Sequence, residues 1–156
     1  MGQDDTKHNL LFISKYPQII HEFTDAMKDR DIEIETAING IEAAAKIKKK
    51  NYDIVITGLS LEGYNGEQII TYLNKTAPST VCIIYTTTIS SAQLHFFINE
   101  RNVFRVFLRP VDFRGAFWEA LEEAYEYHAV QVKNEEDTGA RRQEQEKQER
   151  ERHKPQ

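Results

Sequence analysis

Asp53-Ile54-Val55-Ile56-Thr57-Gly58-Leu59-Ser60-Leu61-Glu62-Gly63-Tyr64-Asn65-Gly66 joins a short apolar run, Asp53–Thr57, to a turn, and a helical pattern follows at once. An unbroken apolar run of this length marks a strand covered on both faces. The pattern after it, from about Glu67 to Lys75, carries Ile69, Ile70 and Leu73 on one side. Strand, turn and helix in this order is one unit of a parallel sheet.

The same unit recurs on both sides of this stretch. Leu10–Ser14, Thr80–Thr86 and Val103–Leu108 read as further apolar strands. Ile32–Ala37 instead alternates Ile32 and Ile34 with Glu33 and Glu35, as an edge strand does. Between the strands lie helical patterns. Gln18–Arg30 follows Pro17 and carries Ile19, Ile20, Phe23 and Met27; Gly40–Lys49 carries Ile41, Ala44, Ala45 and Ile47. Ser90–Glu100, with a serine start suited to capping, sets Leu94, Phe97 and Ile98 on one side. The last helix begins near Asp112 and carries Phe113, Phe117, Leu121, Ala124 and Tyr125. Strict strand–helix alternation repeated five times predicts an α/β fold, a five-stranded parallel sheet with helices on both faces.

Length and composition set the limits. The chain has 156 residues, enough for one domain with a real core, and 40% are hydrophobic against 29% charged. A net charge of -5 supplies no basic face for nucleic acid. Cys82 is the one cysteine; it sits in an apolar run, reads as a core residue, and leaves no disulfide framework, which fits a reducing cytoplasm. No apolar segment approaches the roughly 18 residues that span a bilayer. The polar start lacks the pattern of a secretory signal. Residues 1–8 are expected to be disordered, 9–130 to form the domain, and 131–156 to form a charged tail, helical or disordered. After Val132 there is no heptad seam and almost nothing apolar to bury.

In an open parallel sheet of the flavodoxin-like order 2-1-3-4-5, the functional crevice lies beyond the carboxyl ends of the strands. That places Ser14, Lys15, Tyr16, Thr57, Gly58, Thr86–Thr88, Arg109 and Pro110 around it. Leu10–Pro17, Asp53–Gly66, Val81–Thr87 and Val106–Val111, with their order and spacing, resemble the CheY-like receiver domains of bacterial two-component response regulators. The resemblance covers about Asn9 to Tyr127. Gly63 and Gly66 hold the glycine positions of the loop after the third strand, and Glu62 stands where the family often has proline.

Carried over position by position, the resemblance implies a degenerate phosphorylation pocket. Receivers usually hold Mg²⁺ with two acidic residues after the first strand; Ser14 and Lys15 stand there. The phosphoacceptor aspartate is replaced by Gly58. Thr86 keeps the family's hydroxyl after the fourth strand. Arg109 before Pro110 keeps the charge of the usual lysine but not the residue, and Val106 takes the aromatic switch position. Magnesium needs hard oxygen ligands, and acyl phosphate formation needs a carboxylate nucleophile. Neither is present, so phosphoryl transfer has nothing to attack or stabilise.

The expectation is a pseudo-receiver that acts in signal transduction by protein–protein interaction, with no enzymatic activity, cofactor or metal. The alternatives are a small-ligand or anion sensor built on the degenerate pocket, or a phosphorylation-dependent regulator with an unusual acceptor. Receivers usually work through the face of the fourth helix, fifth strand and fifth helix. Phe96, Phe97, Phe104, Phe107 and Trp118 are its candidate residues here, for an unidentified signalling partner or a homodimer. The pairs Phe96–Phe97 and Phe117–Trp118 cannot all point one way on a helix, so one of each pair should be exposed. His21, His95 and His128 have no ligand spacing and read as surface or partly covered helix residues. No partner membrane or nucleic acid is expected.

Overall fold

The computed structural model describes residues 8–100 and 102–152. Ten elements alternate without exception: β1 (His8–Ile13), α1 (Pro17–Met27), β2 (Ile32–Ala37), α2 (Gly40–Lys49), β3 (Ile54–Thr57), α3 (Gly66–Thr76), β4 (Val81–Thr86), α4 (Ser91–Ile98), β5 (Val103–Leu108) and α5 (Ala116–Arg152). The strands form one parallel sheet in the order β2-β1-β3-β4-β5. The fold class and strand order are those the sequence predicted.

Each central strand feeds two cores because its side chains alternate between faces. Leu10, Phe12, Ile54, Ile56, Ile83 and Tyr85 face α1 and α5, where Phe23, Phe113 and Phe117 complete an aromatic cluster. Phe12 stacks on Phe23 at 4.2 Å, and Phe113 meets Phe117 edge-on at 5.1 Å. The other face, with Leu11, Ile13, Val55, Cys82 and Ile84, packs on α2, α3 and Phe97 of α4. Cys82 is fully buried there, and burial pushes its thiol pKa up, so it stays a core residue.

Local signals start the helices where they are needed. Pro17 opens α1, whose Ile19, Phe23 and Met27 form the buried stripe. Asn39 caps α2 by accepting from the Glu42 N–H at 2.8 Å. Asn65 with Gln68, and Ser90 with Gln93, form reciprocal capping boxes for α3 and α4. Each cap follows a strand's carboxyl end, so the caps also shape the loops of the crevice.

Four expectations are corrected. Residue 8 was assigned to a disordered start, but His8 opens β1, opposite Ile32 of β2; residues 1–7 of that segment lie outside the described residues. Strand pairing and a bond from the Asn9 N–H to Asp53 hold this polar start in the sheet. β5 was read as covered on both faces, yet it is the second edge strand and no residue of it is fully buried. Leu94 and Ile98 were placed with Phe97 on the packing side of α4, but they are exposed. The helix has eight residues at the sheet margin, and only Phe97 reaches the core. The last helix starts at Ala116 rather than near Asp112, whose side chain accepts from the Arg114 N–H and holds a turn instead. From Ala116 the helix is continuous through 131–152; residues 153–156 of the expected tail lie outside the described residues.

Candidate functional site

The loops after β1, β3, β4 and β5 meet at the carboxyl edge of the sheet. Ser14 is buried there. Its N–H donates to the Ala37 carbonyl at 3.0 Å, and its Oγ accepts from the Tyr16 N–H at 3.2 Å. That turn delivers Pro17 to the start of α1. The Gly58 N–H donates to the Ile13 carbonyl at 3.1 Å, extending the β1–β3 ladder to the last position of the crevice. Thr57 Oγ1 donates to the Gly58 carbonyl at 2.8 Å.

Two glycines that follow make this loop close. Gly66 opens α3 against Gly58, and a Cβ there would stand 2.3 Å from the Gly58 oxygen. Gly63 has φ +80°, the left-handed region that favours glycine. Gly58 differs from both. A Cβ on it would meet the Tyr85 oxygen at 3.6 Å and the Ile13 oxygen at 4.0 Å, which is ordinary contact. Packing therefore does not require a glycine at the end of β3. Glu62, the one carboxylate of this loop, is exposed, and its backbone carbonyl accepts from the Gly40 N–H at 2.9 Å.

The cations are not arranged around an empty cradle. The Arg109 guanidinium lies over the Tyr16 ring at 4.7 Å and nearer the edge of reach over Tyr85 at 5.9 Å. Lys15 approaches the same Tyr16 ring at 5.3 Å and donates to Ser60 Oγ at 3.5 Å. Tyr16 thus sits between the two positive charges of the crevice. Burial pushes the Tyr85 hydroxyl pKa up, with the Arg109 charge working against it. Thr86 Oγ1 donates to the Thr88 carbonyl at 3.1 Å, and the Thr86 carbonyl accepts from the Arg109 N–H at 2.8 Å.

The five crevice positions expected from the sequence, Ser14, Lys15, Gly58, Thr86 and Arg109, therefore come together at one edge of the sheet. The role of Tyr16 as the ring between Lys15 and Arg109 was not read from the sequence. Its neighbours along the chain, Lys15 and Pro17, gave no sign that a residue 93 positions later would stack on it. Among the described residues, no group of three or more His, Cys, Asp or Glu side chains is placed to hold a metal ion.

The second candidate surface is the face of α4, β5 and α5. Phe97 does not belong to it: the side chain is only 2% exposed and lies in the core. Phe96 beside it is half-buried and packs edge-on against Phe97 at 5.4 Å. Phe104 is half-buried between Tyr127 at 5.3 Å and the Arg105 guanidinium at 4.4 Å. Phe107 packs on Phe117 at 4.8 Å, and Trp118 lies beneath the Arg30 guanidinium at 4.1 Å. The aliphatic residues are the ones left open: Ile98 is 72% exposed, Leu108 50% and Leu94 42%. Sequence reading favoured aromatics and missed these three, because an apolar residue carries no mark of its exposure on a short margin helix, as with Leu94 and Ile98, or at the end of an edge strand, as with Leu108.

The family described as response regulator receiver domain matches residues 11–115. Comparison with curated proteins finds no match. Solved structures with the same fold include a signal receiver domain of an HD domain-containing protein from Pseudomonas fluorescens Pf-5. It is 19% identical with a TM-score of 0.75, over 80% of this chain and 98% of that one. A CheY-like response regulator receiver domain protein from Methanospirillum hungatei JF-1 is 18% identical with a TM-score of 0.73, over 80% of this chain and 99% of that one. A structure described as adenylate cyclase from Rhodopirellula baltica is 19% identical with a TM-score of 0.76, over 85% of this chain and 98% of that one. At these identities the likeness is one of fold. Among the described residues, no helix is long and apolar enough to cross a membrane.

Proposed function

Since the chain belongs to the response regulator receiver domain family, matched over residues 11–115, we propose that it is a cytoplasmic pseudo-receiver that signals by binding a protein partner, without phosphorylation on aspartate. The observation that carries this reading is Gly58 at the carboxyl end of β3, where the family's chemistry requires a carboxylate. Three further features support it. Ser14 and Lys15 stand where acidic metal ligands would be, and Lys15 would set a positive charge in the place of the cation. Thr86 bonds within its own loop, and the Arg109 guanidinium is stacked on Tyr16.

The surface offered to a partner is the α4–β5 margin, with Leu94, Ile98 and Leu108 uncovered. Burying a side chain of this kind is worth about 1.5–3 kcal/mol, so three of them can anchor a docking site. The partner is a second copy in a homodimer or a different signalling protein; sedimentation separates the two.

The test is an amide NMR titration of the full chain with Mg²⁺ and then beryllofluoride. Unmoved signals at Ser14, Gly58 and Thr86 are expected. Saturable shifts there would overturn the reading. Leu94→Glu with Ile98→Glu should then weaken self-association or partner capture while leaving the fold intact. An unchanged sedimentation profile together with unchanged partner capture would remove this face from consideration.

A further inference from the structure

The opposite edge of the sheet carries a cluster that the receiver reading does not use. Asp53 stands just before β3 and is anchored on both sides. Its Oδ2 accepts from the Asn9 N–H at 3.3 Å, and its own N–H donates to Asn9 Oδ1 at 2.6 Å. His128 of α5 reaches the other oxygen, with Nε2 at 3.1 Å from Asp53 Oδ1. The second ring nitrogen, Nδ1, lies 2.8 Å from the Ser79 carbonyl oxygen in the α3–β4 loop. One turn earlier on α5, the Tyr125 hydroxyl donates to the Asn9 carbonyl at 3.1 Å.

A carbonyl oxygen can only accept, and so can an ionised carboxylate. A neutral imidazole has one N–H, so it can satisfy one of these two contacts and turns a lone pair toward the other. Only the doubly protonated ring donates to both. We propose that His128 is a protonation-gated latch that fastens α5 to the amino edge of the sheet, closed as the imidazolium and loosened when it becomes neutral.

The surroundings favour the closed form. Burial works against the charge on His128, but the hydrogen bond to Asp53, the Ser79 carbonyl and the charges of Asp53 and Glu135 outweigh it and raise its pKa above the ordinary 6.5. Burial likewise opposes the Asp53 charge, yet the hydrogen bond from His128, its charge, the Asn9 N–H and His8 hold that carboxyl below the usual carboxylate value. The groups around the ring come from each neighbouring element. Asp53 precedes β3, and His8 of β1 stands 3.8 Å from the second Asp53 oxygen with its ring against Tyr125 at 4.2 Å. Glu135 and Tyr125 belong to α5, Tyr52 lines the same hollow, and the α3–β4 loop contributes the Ser79 carbonyl.

The latch sits where α5 leaves the sheet. From His128 to Arg152 the helix continues for roughly 36 Å at 1.5 Å per residue, beyond the stretch that Phe117, Leu121, Ala124 and Tyr125 bury against the sheet. A raised pKa means the latch stabilises fully below about pH 6.5, and this contribution is lost as pH rises through the folded-state value.

The experiment is ¹⁵N imidazole NMR of the full chain across pH, with amide hydrogen exchange along α5. His128 is expected to titrate above 6.5 with both ring nitrogens protonated below its midpoint, and the midpoint should fall in Asp53→Asn. Exchange in residues 129–132, corrected for the intrinsic pH dependence, should speed up above the midpoint while α3 stays unchanged. A wild-type midpoint at or below 6.5 would overturn the latch, as would one unmoved by Asp53→Asn. Should Asp53→Asn unfold the chain, the wild-type exchange profile decides: α5 protection that does not change across the titration overturns it.

Discussion

Gly58→Asp returns a carboxylate to the end of β3 and separates two reasons for its absence, packing and lost chemistry. The structure places no backbone demand on a glycine there. Its φ is not in the positive region, and a Cβ would find its nearest neighbours at 3.6 and 4.0 Å. Replacing a glycine at a compatible position gains about 0.4–1 kcal/mol by restricting the unfolded chain. The Cβ would stand near the carbonyl oxygens of Tyr85 and Ile13, which disfavour a carboxylate, while the positive charges of Lys15 and Arg109 at the same edge favour it, so charge changes that gain little. The net change is therefore expected within about 1 kcal/mol of wild type, the range of a substitution with no cavity, clash or unpaired buried charge. For a chain of this size that is a Tm shift of about 2–4 °C. Thermal and urea melts measure it.

The chemistry should remain absent in that variant. With Mg²⁺ and acetyl phosphate, intact mass is expected to show no added phosphoryl group, because Ser14 and Lys15 offer the metal no carboxylate. Ser14→Asp and Lys15→Asp added to Gly58→Asp supply those ligands, and only this combination should gain Mg²⁺-dependent labelling. A loss of more than about 3 kcal/mol in Gly58→Asp would refute the packing argument. Labelling of Gly58→Asp alone would refute the claim that the positions after β1 decide metal binding.

Three further outcomes follow from the same structure. Gly66→Ala should cost about 2 kcal/mol or more in a urea melt, because its Cβ meets the Gly58 oxygen at 2.3 Å and the Leu59 Cα at 2.9 Å, both backbone atoms that a rotamer change cannot move. Phe97→Ala should destabilise by about 3–5 kcal/mol, and Phe96→Ala by clearly less, since only Phe97 is fully buried; equal losses would contradict the packing of α4. On the acid side, Asp53 and Glu35 both have lowered pKa values, Glu35 through hydrogen bonds from Lys50 and Tyr52 that outweigh its burial. Their contributions are present above the ordinary carboxylate range and fade as pH falls through the lowered values. Asp53→Asn with Glu35→Gln should therefore flatten the acid limb of stability against pH.

The order of elements was legible because it depends on local chemistry. Val103–Leu108 and Ile32–Ala37 were bounded correctly from β-branched and aromatic content and from alternation, and Pro17 and Ser90 marked the starts of α1 and α4. The identities of Ser14, Lys15, Gly58, Thr86 and Arg109 also stand in the sequence, and with them the mismatch to aspartate phosphorylation that motivates the proposed function. What tertiary structure decided is which groups meet across distance. Burial of Phe97 but not Leu94 or Ile98 follows from how far α4 overhangs the sheet margin, and the half-exposure of β5 follows from its place at the edge. The Tyr16–Arg109 stack and the Asp53–His128 pair join residues far apart in the chain. No periodicity encodes such meetings, because parallel strands bring their ends together only after every crossover helix has packed.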